Sequence, residues 1–245
     1  MDDRKSFAHE RRHNISTLGR DHTLADASLG MTESLIRQRY LFNFDWLGLP
    51  IIQFPADIVA YQEICWKVKP AVIVETGIAR GGSVIFYASM LELLGSDGFV
   101  VGVDIDIRSH NRQAIESHPL ARRVRLIEGS SVDPGVVAEV TSMVGGRQPV
   151  LVILDSLHTK DHVLAELDAY SSLVGPGSYV VVQDTVIERL PDGLYPNRPW
   201  SVGNSPANAL DDFLARPGCR FVIDDDYASK LVLTTTPRGF LRCIA

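Results

Sequence analysis

The stretch from Val72 to Ser83 constrains the fold of this chain most. It begins with β-branched residues after a proline, which is typical of a buried strand, and ends in glycines that lead into an apolar helical segment. Glycine has no Cβ and tolerates positive φ, so such a turn lets a ligand approach the backbone beside the free N–H groups of a helix start. The residues predicted to bind a cofactor here are Glu75, Gly77, Arg80, Gly81, Gly82 and Ser83.

Glu75, the acid that ends this strand, indicates which class of ligand the turn can bind. The glycines do not follow the G-x-G-x-x-G spacing, and the carboxylate of Glu75 would repel a pyrophosphate, which disfavours a dinucleotide. A second apolar run ends in Asp104, where a βαβ unit places a carboxylate that binds both hydroxyls of a ribose. The two acids together predict a nucleoside ligand without phosphates. A generic α/β protein with acids at its strand ends is the alternative.

Apolar strands and helical segments alternate along the rest of the chain. Strands are predicted at 72–75, 99–104, 123–127, 150–154, 178–183, 219–223 and 230–235, and helices near 83–94, 110–117, 133–143, 161–173 and 205–215. This alternation predicts an α/β fold with a mostly parallel sheet and helices on both faces. The last two strands are expected to be antiparallel, because no helix is predicted between them.

Residues 1–70 are interpreted as an N-terminal extension of the α/β domain, which spans residues 71–245. The polar residues up to Gly30 show little periodicity, and we expect an arm that is mobile or packs on a partner subunit. An amphipathic helix from Met31, an aromatic-rich loop and a second helix over 56–68 are predicted to follow. The aromatic residues suit either core packing or a lid over a substrate pocket.

Composition excludes several functions. A net charge of -6 argues against a nucleic-acid partner, because phosphate neutralisation needs a basic face. There is neither a signal-type segment at the N-terminus nor an apolar run of membrane-spanning length, so a cytoplasmic protein is expected. Cys65, Cys219 and Cys243 lack metal-ligand spacing and are interpreted as small apolar residues. A homo-oligomer is a possible assembly of such folds.

Polar residues follow five of the predicted strands, and parallel strands bring such residues to one edge of a sheet. They are Glu75, Asp104, Glu128 with Ser130 and Ser131, Asp155 with His158, and Gln183 with Asp184. Two carboxylates and one amide oxygen, from Asp155, Asp184 and Gln183, suit Mg²⁺. The alternative is that both aspartates only cap the segments that follow. His158 could accept a proton at neutral pH, and we prefer it to His162 as the base.

Four stretches resemble the cephalosporin hydroxylase/rhamnosyl O-methyltransferase family. They are VETGIARGGS at 74–83, EGSSVDP at 128–134, LDSLHTKDHVLAEL at 154–167 and TPRGFL at 236–241. The resemblance extends from about Tyr40 to the end of the chain. It implies a Rossmann-like, seven-stranded methyltransferase sheet with a C-terminal antiparallel hairpin. It also implies Mg²⁺-dependent transfer of a methyl group from S-adenosylmethionine to a hydroxyl, often of a sugar in a glycan or natural product.

The resemblance also implies a role for each site residue. Asp155 and the pair Gln183–Asp184 would hold the metal, and His158 would be the base. The family has a glutamate where this chain has Gln183, so the site loses one negative charge. In the resulting hypothesis Glu75 and the glycine turn bind the methionine part of the cofactor, Asp104 the ribose, and Ser130 and Ser131 the adenine.

Two other functions stay open at this point. An O-methyltransferase of an aromatic diol or another small natural product would use the same metal chemistry and differ only in its acceptor. A non-catalytic partner subunit would bind the cofactor without turnover, and the amide at Gln183 makes this conceivable. An oxidoreductase that uses NAD is disfavoured by the glycine spacing.

Overall fold

The computed structural model describes residues 3–245. The helices are α1 (Asp3–Leu18), α2 (His22–Arg37), α3 (Pro55–Val68), α4 (Gly82–Leu93), α5 (Ser109–Glu116), α6 (Pro134–Val144), α7 (Lys160–Tyr170), α8 (Pro206–Leu214) and α9 (Asp225–Lys230). The strands are β1 (Phe44–Trp46), β2 (Leu49–Ile51), β3 (Val72–Thr76), β4 (Phe99–Asp104), β5 (Val124–Glu128), β6 (Val150–Leu154), β7 (Tyr179–Val182), β8 (Phe221–Ile223) and β9 (Phe240–Cys243).

The central sheet has the strand order β5-β4-β3-β6-β7-β9-β8. The first five strands in this order are parallel, while β9 runs antiparallel to both β7 and β8. The order reverses between β3 and β6, so the chain winds outward in both directions from the middle of the sheet. In such a sheet ligands bind at the carboxyl edge near the reversal. The predicted α/β class and the mostly parallel, seven-stranded sheet are confirmed.

Two hydrophobic layers enclose the sheet because side chains alternate between its faces. Ile73 and Val100 point into the layer that contains α3 and α4. Val72, Val74 and the corresponding residues of the neighbouring strands point into the layer of α6, α7 and α8. Every residue of β3, β6 and β7 is buried, which explains their continuous apolar sequences.

The prediction of a strand at 230–235 is wrong, because these residues form the end of a helix and part of a loop. The helix α9 follows β8, and the last strand is β9, so the antiparallel pair at the sheet edge is joined by a helix and a long loop. Asp57 on α3 explains the difference. Its carboxylate accepts from the Thr234 hydroxyl at 2.5 Å and from the Thr235 N–H at 3.1 Å, which diverts these groups from strand pairing.

The N-terminal extension is more regular than the sequence indicated. From Asp3 onwards the chain forms α1 and α2, and α1 lies against α9, where Gly19 leaves space for Ser229. The predicted partner contact stays a prediction, and Met1 and Asp2 lie outside the described residues. The helix predicted at 56–68 is confirmed as α3. No helix among residues 3–245 combines the length and apolar character that a membrane span needs.

The aromatic-rich loop is in fact a β-hairpin, β1–β2, that packs on α4. The indole N–H of Trp46 donates to the Ser89 hydroxyl at 3.0 Å, and its ring meets Phe86 edge-on at 4.9 Å. A Cβ on Gly82 would lie 2.3 Å from the carbonyl oxygen of Pro50. The hairpin therefore covers the start of α4, and Gly82 is required by this protein contact.

The turn after β3 depends on a close approach to β6. Gly77 has a φ of +81°, and a Cβ built on it would lie 2.1 Å from the carbonyl oxygen of Asp155. An L-residue would meet both a left-handed backbone penalty and a backbone clash here. Glycine at this position lets the ends of β3 and β6 meet.

Replacing Gly77→Ala is expected to lower the free energy of unfolding by about 3 kcal/mol or more, because the clash adds to the backbone penalty. Urea denaturation followed by circular dichroism measures the change. The matched control is Gly95→Ala, where φ is +64° and no atom lies within 4 Å of the built Cβ. It should cost only about 1 kcal/mol. Equal losses in the two variants would show that the contact with Asp155 is not the constraint.

Candidate active site

A cavity of about 1070 Å³ lies at the carboxyl edge of the sheet. The ends of β4, β6 and β7 form its floor, and they bring Asp104, Asp155 and Asp184 into its lining. Residues from 36–42 and from 187–200, outside the sheet, complete the walls. We call these two segments the lid segments. Several predicted site residues from distant parts of the sequence therefore share one cavity.

Three side chains on the floor form a candidate metal cluster. Asp155, His158 and Asp184 each offer one ligand atom, and these atoms lie within 4.8 Å of one another. The Nε2 of His158 is 3.1 Å from Oδ2 of Asp184. Asp184 has a φ of 54°, a left-handed conformation that aspartate tolerates better than most residues. The backbone departs from strand geometry where the side chain must face the cavity.

The carboxyl group of Asp155 is held in a crowded acidic environment. Burial is the main cause that raises its pKa well above the usual value, and the nearby carboxyls of Asp184 and Glu75 raise it further. The amide of Gln53 donates to Oδ2 of Asp155 at 3.3 Å. A cation bound beside Asp155 would offset this repulsion.

Gln183 lines the cavity, but its amide oxygen is already engaged by the protein. The Tyr61 hydroxyl donates to it at 2.9 Å, and the Thr236 hydroxyl donates at 3.2 Å. The side chain is almost completely buried. These contacts tie β7 to α3 and to the loop before β9, and they compete with the predicted role of Gln183 as a metal ligand.

The imidazole of His158 is positioned from two sides. Trp200 meets it edge-on with the ring centroids 4.7 Å apart, and Asp184 pairs with Nε2. Trp200 itself is only 9% exposed and packs against Tyr195 at 6.3 Å. The loop at 187–200 therefore holds the predicted base against the predicted metal cluster.

The glycine turn is built differently from the sequence expectation. Glu75 is completely buried below the turn, where the Ser83 hydroxyl donates to it at 3.0 Å. Gly77 lines the cavity, whereas Gly81 and Gly82 are buried against Ile115 and Pro50, and Arg80 is exposed outside the lining. Of the turn residues predicted to bind a cofactor, the structure brings only Gly77 to the cavity.

Asp104 reaches the cavity and also shapes the turn. Its Oδ2 accepts from the N–H groups of Ile78 and Ala79, both at 3.0 Å, and its Oδ1 accepts from Asp106 at 3.2 Å. A carboxylate oxygen can accept more than one hydrogen bond, so contact with a ribose is compatible with this arrangement.

Ser130 and Ser131 line the cavity next to His162. The Nε2 of His162 is 3.1 Å from the Ser131 hydroxyl and 3.0 Å from the Ser156 hydroxyl, which also donates to Glu166 at 2.7 Å. Glu166 is fully buried. This network fixes the loop after β6 and gives His162 a supporting role there.

Several residues of the site escaped the sequence analysis. Gln53 and Tyr61 contact predicted site residues, and Arg39 and Arg198 line the cavity from the lid segments. None of them lies in a recognisable motif or directly follows a strand of the parallel sheet. Only the folded chain brings them to the carboxyl edge.

Comparison with known proteins identifies the class. The sequence matches the model of the family described as Rhamnosyl O-methyltransferase/CmcI over residues 38–244. The rhamnosyl O-methyltransferase of Mycobacterium bovis (strain BCG) is 30% identical over 212 residues, which cover 82% of this chain and 81% of that protein. The protein of the same name from Mycobacterium leprae is 32% identical over 144 residues, or 57% and 59% of the two chains.

Solved structures share the fold. An apo structure of CmcI covers 83% of this chain and 77% of its own, with a TM-score of 0.57 and 22% identity. A CmcI structure with Mg and SAM has a TM-score of 0.56, 21% identity, and covers 83% and 78%. The family match and the named relatives define the class as that of O-methyltransferases. The chain belongs to the Rhamnosyl O-methyltransferase/CmcI family, and the resemblance found in the sequence is confirmed.

The stability effect of Glu75 is expected to depend on pH. Burial raises the pKa of Glu75 from 4.5 to about 8, so the native state binds a proton that the unfolded chain releases above pH 4.5. Stability is therefore lost as pH rises from about 5 to 8. Glu75→Gln removes this titration and keeps an acceptor for Ser83. The variant should gain about 2–4 kcal/mol relative to the wild type across that range.

Denaturation curves at several pH values measure this difference. Glu139→Gln, on the exposed face of α6, is the control and should track the wild type. A constant difference between Glu75→Gln and the wild type from pH 5 to 8 would contradict the assigned cause.

Proposed function

We propose that the protein transfers a methyl group from S-adenosylmethionine to a hydroxyl of a sugar, or of a glycosylated natural product or surface glycan, with the help of Mg²⁺. The observation that carries the proposal is the cluster of Asp155, His158 and Asp184, with ligand atoms within 4.8 Å of one another on the cavity floor. The relatives named rhamnosyl O-methyltransferase support the choice of acceptor.

The donor set suits a hard divalent cation. Mg²⁺ takes oxygen ligands, uses one or two carboxylates and keeps sites for water or substrate oxygens. Asp155 and Asp184 supply the carboxylates, and the cavity leaves room for the other ligands. The crowding that raises the pKa of Asp155 is the electrostatic reason for a cation at this place. We assign Gln183 to the support of the site, because Tyr61 and Thr236 occupy its amide oxygen.

The cofactor would lie across the ends of β3, β4 and β5. Gly77, Asp104, Ser130 and Ser131 line this part of the cavity, next to Asp155. Asp104 would accept hydrogen bonds from the ribose, and the serines would lie near the adenine. Glu75 would act indirectly, because it is buried below the turn and bonded to Ser83.

His158 is the proposed base. The contact with Asp184 favours a proton on Nε2, which leaves Nδ1 to accept the proton of the acceptor hydroxyl. Asp184 would then stabilise the imidazolium that forms, and Trp200 would keep the ring in place. When bound, Mg²⁺ lowers the pKa of a coordinated hydroxyl and orients it, and the sulfonium of S-adenosylmethionine supplies the methyl group. The lid segments would exclude water from this reaction.

Titration calorimetry of S-adenosylmethionine and its demethylated product, with Mg²⁺ or with a chelator, tests the proposal directly. Binding of the nucleoside together with a separate Mg²⁺ signal is expected. Failure of both nucleosides to bind would reject the proposed function. Nucleoside binding without any Mg²⁺ signal would reject the metal-dependent part only.

Replacing Asp155→Asn is expected to weaken Mg²⁺ binding at least ten-fold, because the site loses one of its two carboxylate ligands. Calorimetric titration of Mg²⁺ measures the change. Asp97→Asn, at an exposed position before β4, is the matched control and should bind Mg²⁺ like the wild type. Unchanged affinity in Asp155→Asn would place the ion elsewhere.

Replacing His158→Asn is expected to lower turnover about 100-fold or more, because the proton acceptor is removed. Release of S-adenosylhomocysteine with a rhamnoside acceptor measures the rate. The affinity for S-adenosylmethionine should stay within two-fold of the wild type, which separates loss of the base from loss of the cofactor site. Turnover close to that of the wild type at neutral pH would exclude His158 as the base.

A further inference from the structure

The charges that line the cavity are segregated. The acids in the lining are Asp104, Asp155 and Asp184, and all three belong to the strand ends of the floor. Neither lid segment contributes an acid to the lining within the described part of the chain. In a protein with a net charge of -6, a wall without acids is a distinctive feature of the site.

The arginines of the lining all come from the lid segments. Arg37 pairs with Glu33 at 2.7 Å, one helical turn away on α2. Arg39 and Arg198 also line the cavity, and neither forms an ion pair with another residue of the range 3–245. Two guanidinium groups are thus available to a ligand.

Aromatic rings support both guanidinium groups. Arg39 lies over Phe42, with 4.6 Å from Cζ to the ring centroid, and Arg198 lies over Trp200 at 5.1 Å. A guanidinium stacked on a ring keeps its N–H edge free for an oxyanion. Because Trp200 also contacts His158 at 4.7 Å, Arg198 lies two contacts from the proposed base.

The ligands of the proposed function leave these arginines without a counter-charge. Mg²⁺ and the net single positive charge of S-adenosylmethionine balance the three carboxylates of the floor. Arg39 and Arg198 together retain two positive charges. An acceptor that enters the cavity displaces the water around these charges.

We propose that the acceptor carries an anionic group, a phosphate, sulfate or carboxylate, that Arg39 and Arg198 bind while its hydroxyl faces His158. This inference rests on the proposed function and narrows the acceptor to a negatively charged sugar. The planar fork of arginine matches oxyanions of this kind with two hydrogen bonds. The two arginines are specificity-determining residues in this assignment.

The test uses the full chain saturated with Mg²⁺ and S-adenosylhomocysteine. Inorganic phosphate, glucuronate and glucose are titrated by calorimetry, where glucuronate and glucose differ in a single charged group. The anions should bind at least ten-fold more tightly than glucose. The double variant Arg39→Gln/Arg198→Gln should lose this preference, and Arg147→Gln, which lies near the opposite edge of the sheet over Phe99, should keep it. The anion that binds more tightly, phosphate or glucuronate, shows whether the site prefers a phosphate or a carboxylate.

Three results would overturn the proposal: no preference for anions in the wild type, a preference that survives in the double variant, or a double variant that instead loses affinity for S-adenosylhomocysteine. The last result would assign the arginines to the carboxylate of the cofactor. The melting temperature of the double variant checks that the fold is intact. A separate titration of S-adenosylhomocysteine alone reports on the proposed function, so its failure is distinguishable from failure of the arginine site.

Discussion

The close approach of β3 and β6 at their carboxyl ends is the constraint on which the site depends. The backbone of Asp155 donates to Thr76 at 2.9 Å, and Gly77 donates to Val103 on β4 at 2.7 Å, so three strands end in register. Only a glycine at position 77 permits this contact. The shared end of the strands places Asp104 and Asp155 in one cavity, and Gln183, bonded to Leu154 at 3.0 Å, extends the edge to β7.

The same geometry brings several acids together at the carboxyl edge of the sheet, and their environments differ. Asp57 and Glu75 are fully buried and have hydroxyl donors, and burial raises the pKa of both, to about 7 for Asp57 and about 8 for Glu75. Asp155 and Asp184 face the cavity, where a cation can approach them. Protonation would neutralise the buried carboxyls of Asp57 and Glu75, whereas a bound cation would neutralise the carboxylates of Asp155 and Asp184.

Much of the fold follows from local patterns. The strands from β3 to β8 and the helices over 82–214 coincide with apolar runs and with glycine or proline punctuation, which act within a few residues of the chain. The segment at 230–235 shows the limit of this reasoning. Its β-branched residues favour a strand, but Asp57, far away in the sequence, binds its polar groups and leaves pairing with β7 to β9.

The sequence by itself determined the alternation of strands and helices. Because parallel strands end on the same side of a sheet, this alternation also determined the edge at which the predicted site residues converge, namely Glu75, Asp104, Asp155, His158 and Asp184. Tertiary structure alone decided which of these residues face the cavity. Packing of α5 and of the β1–β2 hairpin buries Gly81 and Gly82, and the hydroxyls of Tyr61 and Thr236 occupy the amide oxygen of Gln183. It also decided that Arg39 and Arg198 share the cavity, because contacts between segments more than a hundred residues apart leave no periodic signal in the sequence.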